Sequence, residues 1–161
     1  LPHLAGERAP LWDAQARGTF AGLTAGDGPA EVILAVMEGV AFSARLALET
    51  LEAAGGRRAA LIQGGGGATA SDLWCQLHAD AFGRPFARMA ARDPGAVGAL
   101  VMAGVAAGLI PDLAAATGAL GPVERVFEPD AAGATRAERR FALWQELYSR
   151  VRPVNAGLTA G

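Results

Sequence analysis

Four successive glycines, Gly64-Gly65-Gly66-Gly67, constrain this chain more than any other feature. They follow the apolar run Ala59-Ala60-Leu61-Ile62, with Gln63 between, and lead into Ala68-Thr69-Ala70-Ser71. An apolar strand that opens into glycines and then into a helix beginning at Ser71 has the layout of a backbone cradle for a nucleotide. Glycine suits that task because it has no Cβ, so main-chain N–H groups can approach a phosphate or ribose and φ can be positive. The stretch has neither the Lys and Ser/Thr of a Walker loop nor the spacing of a dinucleotide fingerprint. On these residues alone a plain tight turn and a ligand site stand equally open.

Composition bounds what the stretch belongs to. At 161 residues, 52% hydrophobic and with a formal net charge of −2, the chain fits one compact domain with enough apolar side chains for a core. So weak a charge gives no electrostatic basis for binding nucleic acid or an anionic membrane. The uncharged run between Asp93 and Asp112 is interrupted by Pro94, Gly95, Gly98, Gly104, Gly108 and Pro111. It predicts a small-residue helix buried in a core rather than a membrane span. Cys75 is the single cysteine, and its place in a helical pattern beside Trp74 predicts a buried thiol in a reducing compartment, hence a cytoplasmic protein. No cationic segment followed by an apolar run stands at the start, so nothing argues for secretion. The chain opens on Leu1 rather than methionine, which predicts a piece of a longer polypeptide.

Along the chain, residues 1–28 read as a loop carrying His3, Glu7, Arg8, Trp12, Asp13, Arg17 and Asp27 among Gly and Pro. A helix follows, capped by Gly28, with Pro29 first, Glu31 in its first turn and Gly55-Gly56 as its stop. Its predicted apolar side is Ile33, Val36, Met37, Val40, Ala44, Ala47, Leu48 and Leu51, and mid-helix Gly39 implies close packing on a neighbour. After the glycines, Leu73, Trp74, Leu77 and Ala81 predict a second amphipathic helix ended by Gly83, then a short strand over Pro85–Met89. Asp93-Pro94 opens a third helix. Pro111-Asp112-Leu113 reads as a short helix, and Val123 to Glu128 as an extended segment on a surface or sheet edge. Thr135 with Glu138 reads as a capping box for a last helix whose apolar side is Phe141, Leu143, Trp144, Leu147, Tyr148 and Val151. Helices alternating with strands imply α/β layering.

Several of these segments together resemble a known family. Gly18-Thr19-Phe20-Ala21-Gly22-Leu23, seven residues, then Glu31-Val32-Ile33-Leu34-Ala35-Val36-Met37-Glu38 is similar to the second signature of the FGGY carbohydrate kinases at every constrained position. Gly6-Glu7-Arg8-Ala9-Pro10 resembles the Gly-Glu-Arg-x-Pro segment of xylulokinase-type members. Gly65-Gly66-Gly67-Ala68 through Trp74, Gln76, Ala79-Asp80 and Gly83-Arg84-Pro85 resembles their adenosine motif. Leu34 stands where an arginine is common, and Ser71 where several relatives carry asparagine. The likeness runs from Leu1 to about Arg152.

The resemblance implies an α/β fold that is part of a ribonuclease-H-like, actin-like ATPase domain, the C-terminal half of a two-domain sugar kinase. On that basis residues 1–28 form a loop segment with the Gly-Glu-Arg-x-Pro motif, 29–152 a partial C-terminal kinase domain, and 153–161 a flexible tail. Gly65, Gly66, Gly67, Ala68 and Ser71 are the implied nucleotide-binding residues, with Gly66, Gly67 and Ala68 along the ribose and α-phosphate and Ser71 near the purine. The implied cofactors are ATP and Mg2+, with the magnesium ligands outside this chain. The sugar, D-xylulose in the xylulokinase case, would bind through a missing N-terminal domain. Ribulose, fuculose and gluconate stay open as substrates, and so does a homodimer. The family's catalytic aspartate lies upstream of the Gly-Glu-Arg-x-Pro segment, so no catalytic residue and no metal ligand is expected here. The polypeptide alone is therefore expected to be inactive. The competing reading is a stand-alone nucleotide-binding or interaction module from a split or degraded kinase gene.

Other polar residues carry plainer expectations. Asp80 reads as structural or solvated, His78 as exposed or packed, and Glu38 as a buried hydrogen bond. Glu7 and Arg8 read as structure within their loop, and Arg136, Arg139, Arg140 and Glu146 as a solvated face.

Overall fold

The structure is a computed structural model that describes residues 1–116, 118, 119 and 121–159. Its regular elements run α1 (Pro29–Gly55), β1 (Ile62–Gly64), α2 (Asp72–Phe82), β2 (Phe86–Met89), α3 (Pro94–Ala106), β3 (Val123–Phe127) and α4 (Ala131–Thr159). The strands form one sheet in the order β1-β2-β3, with β1 parallel to β2 and β3 antiparallel to it.

The helix ends follow from local chemistry. Gly28 caps α1 and its N–H donates to the Glu31 carboxylate at 2.9 Å, while Gly56 closes the helix at φ +61°. Ser71 caps α2 by accepting from the Trp74 N–H at 3.3 Å, and Asp93 caps α3 by accepting from the Ala96 N–H at 2.9 Å. The 3-10 turn at Ala114–Ala116 lies just beyond the short helix expected at 111–113, and Asp112 accepts from the Ala115 N–H at 2.8 Å at its start.

Two apolar clusters hold the layers together. Phe42 on α1, Ala81 on α2 and Phe141 and Trp144 on α4 make one. Cys75, Ala79 and Phe82 on α2 pack with Phe86 and Phe127 of the sheet to make the other. The residues α2 buries are Cys75, His78, Ala79, Asp80, Ala81 and Phe82; Ala81 is inward as expected, whereas Leu73, also expected inward, is 53% exposed. The shift arises because α2 lies between α1, α4 and β2, so three neighbours choose its inward face.

Four expectations need correction. The helix of the uncharged run, α3, buries none of its residues, and Leu100 is 73% exposed. Missing charge shows only that a helix has no charged face; it does not supply a neighbour to cover it. On α1, Ile33 and Val36 are exposed, and burial falls on Gly39, Ala41 and Phe42. The last helix starts before Thr135, because Asp130 accepts from the Gly133 N–H at 2.7 Å and caps it there. Thr135 then bonds back to the Ala131 carbonyl, and Glu138 pairs with Arg45 at 2.7 Å. The same helix continues past Pro153 to Thr159, where the sequence predicts a tail.

Candidate functional site

The four glycines turn out to be glycines for different reasons. A Cβ on Gly64 would lie within 2.9 Å of the Phe86 ring, and one on Gly65 would lie 2.8 Å from Pro94 Cγ and 3.0 Å from the Ala91 carbonyl oxygen. Gly66 has φ +111°, a conformation that side chains resist. Gly67 has no positive φ, and beyond its own turn no heavy atom lies within 4 Å of where its Cβ would stand. Packing and turn geometry thus account for Gly64, Gly65 and Gly66, whereas no clash with the described residues and no positive φ accounts for Gly67.

The turn beyond the strand is fixed from inside. Gly67–Ala70 forms a single 3-10 turn that the sequence did not signal. Buried Thr69 donates its hydroxyl to the Gly66 carbonyl at 2.7 Å, and its own carbonyl accepts from the Cys75 thiol at 3.3 Å. No group among the described residues accepts from the amides of Gly66, Gly67 or Ala68. The Ser71 side chain is exposed, with its oxygen already engaged as the α2 cap. The loop therefore presents unpaired N–H groups on a surface that no side chain covers.

Next to it, on the first turn of α2, the Asp72 carboxylate accepts from both Arg88 of β2 and Arg125 of β3, the latter at 2.5 Å. Both guanidinium groups lie over the Phe127 ring, 5.1 and 4.5 Å from its centre. This cluster joins three elements that are distant in sequence, and only alternation along β2 and β3 could have hinted at it. A cavity of about 550 Å³ borders the other flank, lined by Gln63, Met89, Pro94 and Val97 among others.

The remaining candidates resolve into structure. Asp80 is buried and accepts from Gln76 Nε2 at 2.8 Å and from the Asp130 N–H at 2.9 Å. His78 packs between the rings of Trp74, Phe82 and Phe86, and burial lowers its pKa. Cys75 is fully buried, and burial pushes its thiol up, which leaves it inert. Glu38 forms a two-oxygen ion pair with Arg140 at 2.9 Å. Among the described residues no cluster of three His, Cys, Asp or Glu could hold a metal ion, and no helix is long and apolar enough to cross a membrane.

The loop at the start of the chain is held by carboxylates. Buried Glu7 accepts from the N–H groups of Ala9, Leu11 and Trp12, and Asp13 accepts from the Tyr148 hydroxyl of α4 at 2.7 Å. That hydrogen bond holds the Asp13 carboxyl below its usual range, while burial and then the same bond raise the Tyr148 pKa to about 12. Trp12, at φ +52°, is left 79% exposed.

Comparison with known proteins gives this arrangement a context. The sequence model of the FGGY family of carbohydrate kinases, C-terminal domain, matches residues 1–107. A glycerol kinase of Variovorax paradoxus is 37% identical over 149 residues, covering 90% of this chain and 30% of that protein. The ligand-bound xylulose kinase of Lactobacillus acidophilus superposes with a TM-score of 0.83 at 33% identity, covering 99% of this chain and 32% of the other. The gluconate kinase of the same organism gives 0.82 at 33% identity, with 99% and 32% covered. The chain thus spans about a third of the length of these relatives.

Proposed function

The chain belongs to the FGGY family of carbohydrate kinases, where it corresponds to the C-terminal domain, with the mixed α/β architecture of the actin-like ATPase fold, and from that premise we propose that its glycine stretch forms one wall of an ATP cleft. Gly65, Gly66, Gly67 and Ala68 would run along the nucleotide, with Ser71 toward the base. The observation that carries this reading is Gly67, whose missing side chain faces open space although neither backbone conformation nor packing demands glycine there. A ligand that must approach the main chain supplies the demand. The unpaired amides of Gly66, Gly67 and Ala68 fit an anionic or polyhydroxyl ligand.

When bound, ATP with a divalent cation, Mg2+ in our reading, supplies the phosphoryl group that the complete enzyme passes to a sugar hydroxyl. This chain's share is to hold and orient the nucleotide. The general base and the metal ligands belong to the rest of the enzyme, so this polypeptide alone transfers no phosphate. We take D-xylulose as the acceptor, because Gly6-Glu7-Arg8-Ala9-Pro10 resembles the xylulokinase form of that segment. The names of the relatives, which include glycerol and gluconate kinases, make those acceptors the alternatives to assay.

The test is calorimetric titration with ATP and ADP, with and without magnesium, of the chain and of Gly67→Val. Binding with a Kd on the order of a millimolar, about −4 kcal/mol, that is weakened in Gly67→Ala and disappears in Gly67→Val supports a nucleotide on the stretch. Equal binding by all three folded proteins moves it elsewhere. Gly67 serves better here than Gly66, whose positive φ would confound any substitution with backbone strain.

A further inference from the structure

Arg84 is 9% exposed, and its guanidinium is engaged on three sides. Nη1 donates to Glu52 Oε1 at 2.5 Å and to the Ala59 carbonyl at 2.8 Å, and Nε donates to the Phe82 carbonyl at 3.3 Å. The same Glu52 oxygen accepts from the Ala59 N–H at 2.8 Å. One ion pair therefore grips both backbone polar groups of a single residue, three positions before β1. Its acid comes from the last turn of α1, and its base follows Gly83, the cap of α2. The next residue, Pro85, accepts from the Ile62 N–H at 3.0 Å and so holds the first residue of β1.

The register held in this way decides where the glycines fall. Ile62 pairs with Phe86, and Gly64 lies under the Phe86 ring. A slip of one residue would bring Gln63 or Gly65 under the ring and turn every side chain of the strand to the other face. The glycines that follow would move with it. We infer that Arg84 and Glu52 act as a clamp that sets the register of β1 and thereby positions the glycine stretch against the nucleotide. This inference rests on the nucleotide reading of the stretch. Neither side chain touches the ligand, so both are positioning residues. Removing one partner of a buried pair leaves the other charge uncompensated, and the two should therefore act as one unit.

The test uses the complete kinase that contains this domain, with Arg84→Gln, Glu52→Gln and the double variant, assayed well below their unfolding temperatures. Each single variant is expected to raise the nucleotide KM on the order of tenfold or more while the sugar KM stays put, the scale of a small misplacement at a reacting group. The double variant is expected to be no worse than the worse single. Arg84→Lys keeps the charge without the fork and is expected to fall between, and it carries the same comparison where a glutamine variant fails to fold. An unchanged nucleotide KM with a lowered Tm overturns the inference. Amide exchange over residues 61–64 without nucleotide gives a second readout, in which lost protection in the variants supports the clamp and unchanged protection overturns it. A complete enzyme that shows no nucleotide dependence sinks the nucleotide reading instead, and the exchange result still decides the clamp.

Discussion

The Phe86 ring fills the space that a side chain at Gly64 would need: a Cβ built there stands 2.9 Å from Cε2 of the ring and closer still to Cζ. Gly64→Ala is therefore expected to destabilise the chain by about 1–3 kcal/mol, the range of an overpacked core. Urea unfolding should show a lower midpoint at constant slope. Phe86→Leu in the same background should recover part of the loss.

Thr69 locks the turn after the glycines through its 2.7 Å hydrogen bond to the Gly66 carbonyl. Thr69→Val keeps the shape and loses the bond, with an expected cost of about 1 kcal/mol. Thr69→Ser keeps the bond and should lie closer to the parent in thermal unfolding. A loss in Thr69→Ser with none in Thr69→Val would assign the effect to the methyl group instead.

Asp13 and Tyr148 make stability depend on pH at both ends of the scale. The folded-state pKa of Asp13 is depressed by the Tyr148 hydroxyl, so its contribution is present above the unfolded carboxylate value and is lost as pH falls through the folded one. Tyr148 is raised to about 12, so its contribution is complete below the ordinary tyrosine value and is lost as pH rises toward 12. Unfolding measured across pH should lose the alkaline slope in Tyr148→Phe and flatten the acid one, which Gln15 and Arg152 also sustain. A phenolate absorbance titration of the folded chain should place its midpoint near 12; an ordinary tyrosine midpoint would show that the bond to Asp13 does not persist in solution.

Asp80 fastens the start of α4 to α2, and a Cβ on Gly133 would stand 2.7 Å from Asp80 Cγ. Asp80→Ala strands the Asp130 N–H and the Gln76 amide, with an expected loss of about 1–3 kcal/mol. Gly133→Ala should be destabilising by a similar mechanism of crowding. Nucleotide affinity is expected to stay unchanged in both, and a selective loss of affinity would reassign Asp80 to the cleft.

What the sequence disclosed was largely local. The caps at Gly28, Ser71 and Asp93, the stops at Gly56 and Gly83, and the strand before the glycines are decided within a few residues, and those residues carry the signal. The pairs that fasten the elements to one another join distant positions: Asp72 with Arg125, Glu52 with Arg84, Asp13 with Tyr148. No spacing rule connects residues that only the tertiary fold brings together. Thr135 with Glu138 misled because a capping box is a short pattern, and Asp130, five residues earlier, offered a cap that also answers to Asp80. The 3-10 turn at Gly67–Ala70 left no mark because its composition is that of any small-residue loop.

The unequal reasons for the four glycines turn the stretch into a record of descent. Gly64 and Gly65 answer to Phe86 and Pro94, so they are kept for as long as the protein must fold. Gly67 meets no such neighbour, so on the proposed nucleotide reading it is use of the ligand that keeps it. If that reading holds, a gene copy released from nucleotide binding would accumulate side chains at Gly67 well before Gly64, and the order of loss would date the change.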